Sequence, residues 1–114
     1  MLGNAVFKYF SSLPKYEVAT LGARFGDNNF LEEIEGKSPD YIINCIGIIP
    51  QKKPDDSLYK KINIELPIAL ESLGARIVHP STDCEFSGSI SRDEMYTKKD
   101  IRDAEDEYGK SKAI

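Results

Sequence analysis

Tyr108 and Lys112 stand four residues apart in the stretch Tyr108-Gly109-Lys110-Ser111-Lys112, near one end of a chain of 114 residues. On a helix that spacing puts one above the other on a single face. An ammonium beside a phenol favours the phenolate and draws the phenol pKa down from its ordinary value of about 10. A general acid works best with a pKa near the operating pH, so the pair is a candidate proton donor. Thr82, in Ser81-Thr82-Asp83, adds a hydroxyl suited to bond a substrate carbonyl oxygen while the tyrosine protonates it. Lys112 is also suited to bond a cofactor ribose. Without Thr82 and its setting, Tyr108 and Lys112 read better as a solvated helix pair.

The elements that must position these groups follow from periodicity. Leu2, Ala5, Val6, Tyr9 and Phe10 predict an amphipathic helix over residues 2–12, stopped by Pro14. Tyr16 to Leu21 reads as a strand ended by Gly22. Asn28 to Glu35 predicts a short acidic helix with Gly36 as its stop. The apolar run Tyr41 to Ile49 suits a strand buried on both faces. The longest helix begins near Ser57 with Leu58, Ile62, Leu66, Ala69, Leu70 and Leu73 inward. Pro67 is expected to kink it or shift its start, and Gly74 to end it. Arg76 to His79 is a third strand, residues 84–105 a long loop, and Asp106-Glu107 opens a final helix with acids where its N-terminus prefers them. The alternation implies an α/β class with a parallel sheet. Ligands of such sheets bind beyond the carboxyl ends of the strands, where Asn44 to Gly47 and Ser81 to Asp83 lie.

Composition narrows the function. The net charge of −4 with interspersed signs is no footprint for nucleic acid or an anionic membrane. No apolar run approaches the roughly 20 residues of a membrane span, and the N-terminal stretch lacks the basic region and cleavage site of a targeting peptide. Cys45 and Cys84 read as reduced thiols of a cytoplasmic protein. No His, Cys and Asp cluster has metal-ligand spacing.

The ordered set Ser81-Thr82-Asp83-Cys84-x-Phe86-Ser87-Gly88 and Tyr108-Gly109-Lys110-Ser111-Lys112 resembles the extended short-chain dehydrogenase/reductases. The likeness is to the dTDP-4-dehydrorhamnose reductase branch and its sugar-nucleotide relatives. Asn44-Cys45-Ile46-Gly47, Asn63 with Pro67, Ala75 to His79, Tyr96 to Asp100 and Asp103 to Asp106 fit as well, and Gly3 matches the last glycine of the family's Gly-x-x-Gly-x-x-Gly loop. The resemblance covers essentially the whole chain. It implies a Rossmann-type parallel sheet with flanking helices, binding NADPH, with NADH as the alternative. It implies hydride transfer to the C4 keto group of a nucleotide-linked deoxysugar, as in dTDP-rhamnose biosynthesis. Thr82, Tyr108 and Lys112 would be the catalytic trio, with Asp83 and Cys84 beside nicotinamide or substrate. Leu2 and Gly3 would lie near the diphosphate, and Cys45, Ile46 and Gly47 would line the adenosine. Arg24 stands where an arginine accommodates the 2′-phosphate of NADP.

Several residues also have plainer readings: Asp83 as a turn residue, Cys45 as a small buried apolar side chain, Arg24 as a surface charge, His79 as packing. Nucleotide-sugar epimerases and dehydratases share the trio, and some relatives are regulatory subunits that bind NADP and a partner protein. The match begins at the end of the glycine loop and stops just past Lys112. The family's first strand and C-terminal substrate lobe are therefore expected to be missing from residues 1–114, a partial NAD(P)-binding domain. Such a chain is expected to be poorly stable or homo-oligomeric, with little turnover. Glu85 departs from the family pattern, which favours an aliphatic residue there.

Overall fold

The computed structural model describes residues 2–52, 54–91 and 93–113. In chain order it has α1 (Leu2–Ser11), α2 (Phe30–Lys37), β1 (Tyr41–Ile43), a 3-10 turn at Pro50–Lys52 and α3 (Asp56–Tyr59). A π-helical stretch at Lys60–Glu65 follows, then α4 (Leu66–Glu71), β2 (Arg76–Val78), a second 3-10 turn at Asp83–Glu85 and α5 (Glu107–Lys112). The class is mixed α/β, with one two-stranded parallel sheet among the described residues. The chain divides into two compact units, Met1–Ile46 with Pro67–His79, and Gly47–Leu66 with Pro80–Ile114.

In the first unit, β1 and β2 pair with Tyr41 opposite Arg76, Ile42 opposite Ile77 and Ile43 opposite Val78. β-Branched side chains suit this pleated surface. The ladder extends through Arg76 N–H to the Asp40 carbonyl at 3.0 Å and Asn44 N–H to the Val78 carbonyl at 2.9 Å. The apolar run that predicted a strand to Ile49 leaves the sheet at Asn44. There the side-chain oxygen of Asn44 accepts the Ile46 N–H at 3.0 Å, a local bond that competes with the ladder. The Asn44 amide meets Nδ1 of His79 at 2.9 Å, so His79 is a polar partner at the strand ends rather than simple packing.

The strand expected at Tyr16–Leu21 does not form. An extended segment becomes a strand only when another backbone takes its N–H and C=O groups, and no described segment pairs with it. Gly36 does not stop α2 either. The helix runs on to Lys37 and closes at Ser38, in the left-handed region at φ 45°, with its N–H on the Glu35 carbonyl. Phe30 and Ile34 of α2 and Leu70 of α4 are buried, and the Phe25 ring meets Phe30 edge-on at 5.4 Å. The stripe of α1 is not a core face: the helix has no buried residue.

In the second unit, Asp55 caps α3 by accepting the Leu58 N–H at 3.1 Å. The helix then widens, and the Leu66 N–H reaches the Lys61 carbonyl. Pro67 follows at once; it has no N–H to give and its ring would press on the carbonyl four residues back, so the wide register takes the place of the expected kink. The inward side chains are Tyr59, Asn63 and Leu66, while Leu58 is exposed. The apolar stripe read from sequence missed Tyr59 and Asn63 because both are polar. Asp106 caps α5 through the Gly109 N–H at 2.7 Å. The loop before it is pinned where Asp103 accepts the Ser87 N–H at 2.8 Å and hydroxyl at 2.7 Å, and where Phe86 and Tyr96 stack at 4.3 Å.

Candidate functional site

Thr82, Asp83, Cys84, Tyr108 and Lys112 all belong to the second unit. Thr82 is extended (φ −149°, ψ 153°) and caps the 3-10 turn, its hydroxyl oxygen accepting the Cys84 N–H at 3.3 Å. The same hydroxyl points at Asp83 Oδ1 from 3.4 Å. That is long for O–H···O, so the hydroxyl proton is easily surrendered to another acceptor. Asp83 and Cys84 are exposed and Thr82 is half-buried.

The helix α5 packs against this turn, and Gly109 is the reason it can. A Cβ at Gly109 would overlap the Cys84 carbonyl oxygen and lie 2.6 Å from the Ala104 Cβ. Only glycine lets the helix backbone approach the turn so closely. Tyr108 and Lys112 flank that contact, one turn apart on α5, and both are half-buried. The Lys112 ammonium donates to the Pro80 carbonyl at 3.1 Å. Burial pushes the Lys112 pKa below the usual lysine value, while the Glu85 carboxylate works in the opposite direction.

Two supports of the site carry no apolar signature. Glu85, with only 6% of its surface exposed, is ion-paired with Arg102 at 2.6 Å, and its carbonyl accepts the Ala104 N–H at 3.1 Å. The departure from an aliphatic residue is thus absorbed by a charged partner in the loop. Asn63 is buried and uses its whole amide. Its oxygen accepts the Ile48 N–H at 3.0 Å, and its nitrogen donates to the Ile48 carbonyl at 3.1 Å and the Ser111 hydroxyl at 3.0 Å. Ser111, also buried, passes its own proton to the Tyr108 carbonyl at 2.7 Å. A buried polar residue at helical spacing with apolar neighbours was the available sequence signal for Asn63, since such groups need partners.

The residues expected to hold a cofactor divide between units. Leu2, Gly3, Arg24, Cys45 and Ile46 fall in the first, Gly47 in the second. A Cβ on Gly3 would lie 3.4 Å from that of Cys45, so the first turn of α1 starts beside the carboxyl end of β1. This is the corner at which parallel α/β sheets take anionic ligands. Leu2, Arg24 and Ile46 are exposed and Cys45 is half-buried, its thiol pKa raised by burial. Arg24 is tethered through its backbone N–H to Asp27 at 2.7 Å, which leaves the guanidinium on the surface. The Ile46 N–H is taken by Asn44. Beside Arg24, the Glu33 carboxylate accepts the N–H groups of Gly22 and Ala23 at 3.0 and 3.1 Å, which hold its pKa below the usual range.

A cavity of about 420 Å³ in the second unit is lined by Asp56, Tyr59, Ile64, Glu107, Lys110 and Ser111 among others. Glu107, Lys110 and Ser111 share one face of α5 and Tyr108 and Lys112 another, so the trio does not line it. Among the described residues no three His, Cys, Asp or Glu side chains gather as a metal cage, and no helix is long and apolar enough to cross a membrane. No family model, curated protein or solved structure matches the chain.

Proposed function

We propose that this chain carries the site of an NADPH-dependent reductase acting on the 4-keto group of a nucleotide-linked deoxysugar, in the manner of the dTDP-4-dehydrorhamnose reductases it resembles. One observation supports the reading beyond the motifs themselves. Gly109 admits the backbone of α5 to the Thr82–Glu85 turn, so the two halves of the motif, 26 residues apart by subtraction of 82 from 108, meet in one unit.

In this reading NADPH, when bound, would supply the hydride for C4 of the sugar. The charge then developing on the carbonyl oxygen is met by two protein donors. The Thr82 hydroxyl exchanges its long contact with Asp83 for a hydrogen bond to that oxygen. Tyr108 delivers the proton and recovers one from solvent afterwards. The half-buried Lys112 ammonium, one turn beyond Tyr108 on α5, supplies positive charge on the same face of the helix. Gly3 at the start of α1, with the exposed Arg24 on the same unit, suits a diphosphate and a 2′-phosphate. These donors fit NADPH better than NADH.

Asp83, which belongs equally to the reductase pattern, also fits a second reading. A carboxylate adjoining the Thr82 hydroxyl is the added acid that a nucleotide-sugar dehydratase uses. The test is oxidation of NADPH in the presence of a dTDP-4-keto-6-deoxysugar, with the sugar product identified. Reductase chemistry consumes NADPH stoichiometrically, and Tyr108→Phe removes at least about 99% of the rate, as loss of a general acid does, while NADPH binding persists. Retained turnover in Tyr108→Phe would eliminate Tyr108 as the acid. Conversion of the corresponding 4,6-dihydroxy nucleotide sugar to the 4-keto-6-deoxy product, with NADP+ or NAD+ added and no net change in it, would select the second reading.

A further inference from the structure

The Tyr59 ring lies against that of Tyr108, centroids 6.1 Å apart and planes tilted by 50°, within the range over which aromatic pairs attract. Tyr59 has only 8% of its surface exposed, whereas Tyr108 is half-buried. Tyr59 stands on α3, which continues unbroken through the π-helical stretch into α4, whereas Tyr108 stands on α5, of six residues. A helix as short as α5 has little stability of its own, so the orientation of Tyr108 depends on what touches it. Its backbone is fixed from one side by Ser111 and from another by the Gly109 contact. Neither bond restrains the ring.

We infer that Tyr59 is a positioning residue for Tyr108: its buried ring is the wall that holds the Tyr108 phenol in a single orientation for proton donation. Burial, then the carboxylates of Asp106 and Asp56, then the Tyr108 phenol, push the Tyr59 pKa above its ordinary value. The wall is therefore held in its neutral form. What Tyr108 does rests on the reductase reading above; that Tyr59 orders its ring does not.

The experiment uses ring-labelled tyrosine in this chain, with Tyr108→Phe to assign the signal by NMR. Tyr59→Ala is expected to release the Tyr108 ring into fast averaging while the amides of α5 stay protected. Tyr59→Phe, which keeps the wall, restores the ordered ring pattern. Where NADPH oxidation is measurable, Tyr59→Ala lowers kcat by about tenfold to a hundredfold, the effect of a misplaced group, with KM little changed, and Tyr59→Phe rescues it. An ordered Tyr108 ring in Tyr59→Ala overturns the inference, as does a Phe variant that behaves like the alanine one. Should Tyr59→Ala unfold, Tyr59→Leu keeps the apolar bulk without the planar surface, and an unaltered Tyr108 ring there overturns it equally. The ring signal is read without turnover, so a chain that reduces no sugar refutes the reductase reading while leaving this test intact.

Discussion

The unit built on β1 and β2 buries Phe30, Ile34 and Leu70 with one polar side chain among the described residues, Asn44, and leaves its other polar bonds mostly at the surface, as with Glu33 on the Gly22 and Ala23 amides. The unit that carries Thr82, Tyr108 and Lys112 buries Asn63, Glu85 and Ser111 alongside Tyr59 and Leu66. Apolar contacts are non-directional and tolerate small slips. A buried polar network accepts one geometry, because any unpaired member is costly in a low dielectric. The contrast teaches where positional accuracy is concentrated: in the unit that carries the candidate hydroxyl, phenol and ammonium.

Six substitutions break or sharpen this contrast. Gly109→Ala should be the most severe. Its Cβ overlaps the Cys84 carbonyl, and an overpacking cost of roughly 3 kcal/mol should appear as lost hydrogen-exchange protection in α5 while the β1–β2 amides keep theirs. Equal loss in both units would show that they unfold as one. Arg102→Met should come next. It strands the buried Glu85 carboxylate, at about 1.5–3 kcal/mol for a charge-assisted bond, measured by denaturant midpoint. The double variant Glu85→Leu/Arg102→Met should recover much of that, since a buried pair replaced by apolar groups is often near neutral.

Acid should act more gently on both units. The Ser87 hydroxyl and N–H hold the Asp103 carboxyl below its usual range, as the Gly22 and Ala23 amides do for Glu33. A depressed folded pKa gives stability that is present above the unfolded value, near 4, and is lost as pH falls through the folded one. Asp103→Asn and Glu33→Gln should each flatten the fall in Tm below about pH 4, one variant for each unit. A slope unchanged in both would separate these clamps from acid stability. The smallest effect is a gain. Ser38→Gly relieves the left-handed cap at φ 45° and should add about 0.5 kcal/mol, confined to α2.

The sequence made the helices legible because their apolar spacing and their stop and cap residues are local. Asp106, read as an acid at the helix start, caps α5, and Gly74 sits at φ +71° where a stop was expected. Strands were less legible. Tyr16–Leu21 and Ile46–Ile49 have strand composition, yet pairing is decided by a neighbour that the segment itself does not encode. In the candidate site, the functional groups of Thr82, Tyr108 and Lys112 stand out by type and spacing. Their supports do not: Asn63 and Glu85 look like surface residues until Ile48, Ser111 and Arg102 are brought to them by the fold.

The bond from Asn63 to Ser111 joins residues 48 apart in the chain. Such a contact forms only after a large loop has closed, with its entropic cost already incurred, and distant pairings of this kind slow folding. The tyrosine and lysine of α5 thus reach their places only when that loop closes and α5 docks on the segment bearing Asn63. A chain caught before that docking step would hold every residue of the site and none of its geometry.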